Sequence, residues 1–182
     1  MRYLPNGKQM SEADAHTIHK IGIPSLVLME RAALQIVETM HKKNISTEKS
    51  LIVCGSGNNG GDGFAVARLL TEQGKHADVL FAGKEASLSE ECRCQKQIVE
   101  NMGISVFTEF PDEEYTVIID AVFGVGLCRE ITGHYKDVID WMNLQDTEKV
   151  AVDIPSGICA ATGEILGTAF RADLTVLSLI HI

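Results

Sequence analysis

The sequence has little proline, few aromatic residues and no long hydrophobic run, and each shortage excludes a class of protein. Of its 182 residues, 4 are proline and 5% are aromatic, whereas 45% are hydrophobic. This composition excludes collagen-like and disordered chains and predicts one globular domain with a well-filled core. The longest apolar runs, such as 174–182, are far shorter than the roughly 20 residues of a membrane helix. We therefore expect no membrane partner and a cytoplasmic location.

Positive charge and paired cysteines are also scarce. Lys and Arg total 16 against 25 Asp and Glu, which gives a formal net charge of −9. Because such a surface repels a phosphate backbone, we expect no nucleic-acid partner. The 5 cysteines are odd in number, and of these only Cys92 and Cys94 lie close together, separated by one residue. This spacing fits neither a disulfide framework nor a zinc ribbon, so we expect reduced thiols.

Short runs rich in Val and Ile alternate with helical patterns from residue 51 onward, which is typical of a parallel sheet with right-handed crossovers. The predicted strands are 51–54, 78–82, 105–107, 116–120, 150–153 and 174–177. The predicted helices between them are 63–73, 88–102 and 134–144, and two more, at 11–20 and 25–43, precede the sheet. The sequence therefore predicts an α/β fold with a mostly parallel, doubly wound sheet.

A glycine-rich loop follows the first predicted strand and leads into a helix. Gly55, Gly57 and Gly60 have the G-x-G-x-x-G spacing that lets backbone amides approach a phosphate at a helix N-terminus. The acid that usually binds ribose is missing from the end of the next strand, and no Walker A lysine follows the glycines. Asp62 either caps a helix that begins at Gly63 or belongs to a binding site, and the residues leave both interpretations open.

Aspartates also end two of the other predicted strands. Asp120 and Asp153 each close a strand, and the carboxyl ends of parallel strands share one edge of a sheet. We therefore expect both aspartates to converge with the Gly-Asn loop. The oxygen-donating residues Asn59, Asp120 and Ser156 are hard ligands that suit an alkali or alkaline-earth cation better than zinc.

Separated motifs, in this order and spacing, resemble one known family over nearly the whole chain. They lie at 28–33, 57–63, 120–124, 152–157 and 172–176. Together they resemble the NAD(P)H-hydrate epimerases, also called the YjeF N-terminal domain family. The resemblance implies an isomerase that interconverts the R and S forms of hydrated NADH and NADPH (NADHX and NADPHX), damaged cofactors that a partner dehydratase then restores. It also implies a Rossmann-like three-layer αβα sandwich, a bound potassium ion (K+) and a homodimer.

The resemblance also implies a set of site residues. Potassium would be held by Asn59, Asp120 and Ser156, and Asp153 would be the catalytic residue. The residues that would hold the substrate are Asn58, Asn59, Gly60, Gly61, Asp62, Gly124, Val125, Gly126, Leu127, Cys128, Arg129, Glu130 and Asp153.

A reaction mechanism follows as a hypothesis from this assignment. The ring nitrogen expels the C6 hydroxyl with a proton from Asp153, and water returns to the opposite face, so Asp153 acts as acid and then as base. The loop after Gly124 departs from animal members, which carry a lysine there. No role of that lysine is carried over to Cys128, and Arg129 is left as a candidate phosphate contact.

The C-terminal residues depart from the family, which continues beyond 172–176 with a segment rich in Lys and Gly. Residues 177–182 are what CTG TCT CTT ATA CAC ATC would encode, a string that matches a common sequencing-library transposon end. We therefore predict a C-terminally truncated epimerase domain over 1–176 and a non-native tail over 177–182, although a natural apolar strand end stays open. The dehydratase partner is expected to be fused or separate, as in bacterial bifunctional members.

Two other functions stay open at this point. The glycine spacing is compatible with an NAD(P)-dependent oxidoreductase, and a non-catalytic binding protein could keep the same fold. The polar set of Asn59, Asp62, Asp120 and Asp153 favours catalysis, because a binding protein has no need to keep it.

Overall fold

Six parallel strands form the centre of the computed structural model, which describes residues 7–177. The strands are β1 (Lys49–Cys54), β2 (His76–Phe81), β3 (Val106–Phe107), β4 (Val117–Ala121), β5 (Glu148–Ala151) and β6 (Leu174–Thr175). They lie in the order β3-β2-β1-β4-β5-β6, and every neighbouring pair is parallel. The order reverses between β1 and β4, which is the switch point where doubly wound sheets bind ligands. The predicted doubly wound α/β fold is confirmed, with a sheet that is parallel throughout.

Helices cover both faces of this sheet. In chain order they are α1 (Gly7–His16), a π-helix (Thr17–Ile21), α2 (Ser25–Lys42), α3 (Asn58–Glu72), a 3-10 turn (Glu85–Ser87), α4 (Glu90–Asn101) and α5 (His134–Leu144). Helices α2, α3 and α4 bury one core against the sheet, which includes Ile36, Phe64, Val99 and Ile119. Helix α5 buries a second core on the opposite face, which includes Val53, Ile118 and Ile139. The sheet is thus apolar on both faces, as a parallel sheet requires.

Helix α3 begins five residues before its predicted start at Gly63. Gly57 precedes its first turn, and the Gly61 amide donates to the Gly57 carbonyl over 3.1 Å, so the turn closes within the glycine run. Asn58 and Asp62 are therefore both helical. The interpretation of Asp62 as the cap of a helix beginning at Gly63 is wrong, because Asp62 lies inside the helix.

The other boundaries differ from prediction by smaller amounts. The first helix, predicted at 11–20, begins by residue 7 and passes into the π-helix, where the amides of Gly22 and Ile23 both donate to the Thr17 carbonyl. Helix α5 has its predicted bounds, and α2 ends one residue early. Asp153 lies two residues beyond β5 and does not close the strand, because β5 ends at Ala151.

Of the predicted tail at 177–182, all but Leu177 lies outside the described residues, and the boundary at 176 stays a prediction. No helix within residues 7–177 has both the length and the apolar character needed to cross a membrane.

Gly63 lies where α3 packs against the sheet. A Cβ there would be 2.5 Å from the Ala121 Cβ and 2.8 Å from the Cys54 Sγ. We expect Gly63→Ala to lower the free energy of unfolding by about 1–3 kcal/mol, because the helix must move away from the strands. Gly57→Ala is the matched control, since nothing lies within 4 Å of a Cβ at that position. Chemical denaturation of both variants checks this, and equal stability of the two would contradict it.

Candidate active site

A cleft of about 1000 Å³ opens at the switch point of the sheet, beside the carboxyl ends of β1 and β4. Two loops form its floor, the β1–α3 loop and the β4–α5 loop, and α1 and α2 contribute the opposite wall. The cleft brings together the Gly-Asn loop and Asp153, as the strand ends predicted. Asp120 lies behind this floor, where it is 1% exposed.

Most of the substrate-binding residues that the resemblance implies line this cleft. They are Asn58, Asn59, Asp62, Gly124, Val125, Gly126, Leu127, Cys128, Arg129 and Asp153. Gly60, Gly61 and Glu130 are not part of the lining. Gly60 and Gly61 are buried beneath it in the first turn of α3, and Glu130 is exposed farther along the β4–α5 loop.

The β1–α3 loop is held against its neighbours by close backbone contacts. The Gly55 amide donates to the Ala121 carbonyl over 3.0 Å, and a Cβ on Gly55 would lie 2.2 Å from the Val122 carbonyl oxygen. A Cβ on Gly60 would lie 2.0 Å from the Gly55 carbonyl oxygen. These contacts set the first turn of α3 at the edge of the cleft, where its amides have no helical partner and favour an anion.

Asp120 connects the end of β4 to the loop after β5. One carboxylate oxygen accepts the Ser156 hydroxyl over 2.6 Å and the Val122 amide over 3.1 Å. The other oxygen accepts the Ser156 amide over 2.8 Å. Burial raises the pKa of Asp120 to about 6, although the hydrogen bonds from Ser156 and Val122 lower it. The negative charge of Asp120 is thus stabilised by uncharged hydrogen-bond donors.

The residues around Asp120 fit a monovalent cation. No Lys, Arg or His side chain within the described part of the chain pairs with this buried carboxylate. The described residues also contain no group of three or more His, Cys, Asp or Glu side chains that could hold a metal. Asp120 and Ser156 supply hard oxygen donors, and Asn59 lies beside Gly124, where a Cβ would be 3.4 Å from the Asn59 Cγ. Such oxygen donors suit an alkali ion.

Asp153 lies at the inner wall of the cleft, next to the β4–α5 loop. Its carboxylate accepts the Val125 amide over 2.9 Å, and a Cβ on Gly124 would lie 2.4 Å from the same oxygen. Burial raises the pKa of Asp153, while the amides of Val125 and Ile154 lower it. The loop thus positions this carboxyl group and leaves it able to gain or lose a proton.

Some lining residues were not among those predicted from the sequence. Asp14 comes from α1, Ser56 from the β1–α3 loop, and Lys84 and Ser87 from the turn after β2. Lys84 follows the strand end where the ribose-binding acid is missing, and the absence of that acid was the sequence feature that could have pointed to Lys84. Nothing local indicated Asp14, because contacts between distant elements bring it to the cleft.

Asp62 lies on the wall of the cleft and has a strongly perturbed pKa. Burial raises it well above the usual value, and the charges of Asp153 and Asp14 raise it further. The folded protein therefore keeps this proton to a higher pH than the unfolded chain, whose aspartates titrate near pH 4. Above that pH, the carboxyl group makes an unfavourable contribution to stability, which grows until the pH passes the folded-state pKa.

We expect Asp62→Asn to raise the melting temperature at pH 8 and to change it little at pH 4, because asparagine mimics the neutral acid. Thermal unfolding at both pH values checks this. Asp146→Asn, at an exposed position away from the cleft, is the control. A lower melting temperature for Asp62→Asn at pH 8 would contradict the prediction.

Several known proteins are similar to this chain in sequence. NAD(P)H-hydrate epimerase of Oenococcus oeni is 43% identical over 94% of this chain and 82% of its own length. The protein of that name from Weissella koreensis is 42% identical over 92% of this chain and 76% of its own length. The one from Limosilactobacillus reuteri strain ATCC 55730 is 45% identical over 95% of this chain and 82% of its own length.

A solved structure and a family model complete the comparison. The crystal structure of yeast ynu0 (YNL200c) superimposes with a TM-score of 0.82, covering 96% of this chain and 79% of the yeast chain at 20% identity. That likeness shows the fold alone. The sequence model of the family described as YjeF-related protein N-terminus matches residues 25–180. The chain belongs to this family.

Proposed function

We propose that this chain is an NAD(P)H-hydrate epimerase that interconverts the R and S forms of NADHX and NADPHX. The observation that carries the proposal is the position of Asp153, a carboxyl group with a raised pKa at the inner end of a dinucleotide-sized cleft. Family membership and the shared name of the relatives support it. Those names also favour an isomerase over an oxidoreductase or a binding protein.

The substrate lies across the two loops of the cleft. Its diphosphate binds at the first turn of α3, where the amides of Asn58 and Asn59 have no helical acceptor. Arg129, on the β4–α5 loop, lines the same cleft and adds a positive charge. With the diphosphate there, the hydrated ring extends toward β4 and β5 and reaches Asp153.

Epimerisation then needs two proton transfers, one from Asp153 to the departing hydroxyl group and one to Asp153 from the incoming water. The ring nitrogen lone pair forms a C=N bond as the C6–O bond breaks, and Asp153 protonates the departing hydroxyl group, which leaves as water. The Asp153 carboxylate next removes a proton from a water molecule that adds to the other face of the cationic ring. Asp153 ends as it began, and no oxidant or reductant takes part.

Asn59, Asp120 and Ser156 are the residues that we propose to hold potassium. When bound there, the ion would supply positive charge to a buried carboxylate that has no basic partner among residues 7–177. The protein's own part is to keep Asp120 and Ser156 in one arrangement, which the hydroxyl and amide of Ser156 do by donating to the carboxylate.

The further partners are also part of the proposal. A dehydratase, fused or separate, consumes the epimer that this chain produces, and cytoplasm that contains NADH and NADPH is the expected compartment. A homodimer is expected from the family. Val27 and Leu34, seven residues apart on the outer side of α2, are 46% and 48% exposed and are two apolar side chains available for such a contact.

Replacement of Asp153 tests the proposed reaction. We expect Asp153→Asn to lose roughly a hundredfold or more of the epimerisation rate, because asparagine can neither donate nor accept the required proton. The assay supplies R-NADHX with an S-specific dehydratase and follows the recovery of NADH. Asp112→Asn, at an exposed position outside the cleft, is the control. Near-normal recovery with folded Asp153→Asn would refute the assignment.

Exchange of potassium tests the cation site. We expect the melting temperature to be higher in potassium chloride than in tetramethylammonium chloride of equal ionic strength, because an ion that binds only the folded state stabilises it. Ser156→Ala should reduce this difference, since it removes a hydroxyl oxygen bonded to Asp120. Ser50→Ala should keep it, because Ser50 is a buried serine whose hydroxyl donates to Thr47 at the opposite end of β1. Equal melting temperatures of the unmodified protein in both salts would contradict the proposed site.

A further inference from the structure

The turn after β2 brings a lysine to the cleft. Lys84 lines the cavity together with the hydroxyl-bearing residues Ser56 and Ser87. In doubly wound dinucleotide-binding folds, the end of the second strand lies beside the ribose of the adenosine half. An acid at that position accepts a hydrogen bond from the ribose 2′-hydroxyl group. In this chain the segment 81–84, which begins with the last residue of β2, reads Phe-Ala-Gly-Lys, so it carries a cation and no acid.

Hydrogen bonds hold this turn against the β1–α3 loop. The Lys84 amide donates to the Ser56 hydroxyl oxygen over 2.7 Å, and the Ser89 amide donates to the Ser56 carbonyl over 2.9 Å. A Cβ on Gly83 would lie 2.3 Å from the Ser56 hydroxyl oxygen, so the two segments touch. The position of Lys84 is therefore set relative to the loop that approaches the diphosphate.

The charges around Lys84 leave its ammonium group available. Glu85, the next residue, pairs with Lys96 over 2.8 Å, and Glu91 accepts the Ser25 hydroxyl over 2.5 Å. Lys84 itself has no ion pair with any residue between 7 and 177. Arg129, the other basic residue of the lining, comes from the β4–α5 loop. Lys84 and Arg129 thus line the cleft from different loops and can bind different phosphate groups of one ligand.

We propose that Lys84 binds the ribose 2′-phosphate of NADPHX and makes this enzyme prefer NADPHX to NADHX. The inference rests on the proposed function for the identity of the substrate. An ammonium group attracts a phosphate as a point charge, whereas the neutral 2′-hydroxyl group of NADHX offers it no charge. Ser87 adds a neutral hydroxyl group to the lining beside the lysine, whereas the Ser56 hydroxyl is bonded to the Lys84 backbone.

The first test uses ligands that carry only the adenosine half of the substrate. By isothermal titration calorimetry, we expect adenosine 2′,5′-bisphosphate to bind roughly tenfold more tightly than adenosine 5′-monophosphate. Lys84→Ala should remove most of this difference. Lys43→Ala should retain it, because Lys43 is exposed at the end of α2 and does not line the cleft. Equal affinities in the unmodified protein, or an unchanged difference in Lys84→Ala, would overturn the inference.

The second test separates this inference from the proposed function. For epimerisation, Lys84→Ala should lower kcat/KM for NADPHX by a factor roughly ten times greater than the factor for NADHX. Equal losses for both substrates would place Lys84 at the diphosphate and overturn the preference. If the unmodified protein turns over neither substrate, the proposed function fails, while the adenosine ligands still decide whether Lys84 recognises a 2′-phosphate.

Discussion

The buried carboxylate of Asp120 is the contact on which the arrangement of the site depends. It accepts two hydrogen bonds from Ser156 and one from Val122, and the Ser156 hydroxyl oxygen accepts the Phe123 amide over 2.8 Å. The end of β4 and the loop after β5 are thereby connected through one charged group. Because a buried charge is costly unless hydrogen bonds surround it, moving either loop would leave that charge poorly solvated. The β4–α5 loop therefore leaves the sheet along a defined path and forms the floor of the cleft.

The second constraint is the close approach of backbones at the start of α3. Gly55 and Gly60 have no room for a side chain, since a Cβ on either would meet a carbonyl oxygen at 2.2 Å or less. Helix α3 consequently begins next to the end of β4. Together with the Asp120 contacts, this places the free amides of α3 and the carboxyl group of Asp153 at one cavity. The site thus depends on backbone geometry as much as on its polar side chains.

Sequence periodicity predicted the sheet because the central strands β1 and β4 are runs of β-branched and aliphatic residues buried on both faces, as Ile52 and Ile118 illustrate. Asp120 and Asp153 indicated the edge of the site because the carboxyl ends of parallel strands meet there, although Asp153 lies two residues beyond β5. The start of α3 was not predictable, because asparagine and glycine are poor helix formers and tertiary contacts hold Gly60 in the helix. The contact between the turn after β2 and the β1–α3 loop was also not predictable, since Ser56 and Lys84 lie 28 residues apart in the sequence.

The charge of the cleft fits a reaction that passes through a cationic ring. Among its described lining residues, Asp14, Asp62, Glu91 and Asp153 face two bases, Lys84 and Arg129, although the proposed substrate is an anion. In the proposed binding mode the two kinds of charge are separated, because the α3 amides and the two bases would contact the phosphates, whereas Asp62 and Asp153 lie close enough to interact electrostatically. An acid with a raised pKa can donate a proton, and the carboxylate it becomes then stabilises the positive ring beside it. Under the proposed function, acidic residues that would weaken the binding of phosphate at one end of the cleft thus serve the chemistry at the other end of the same ligand.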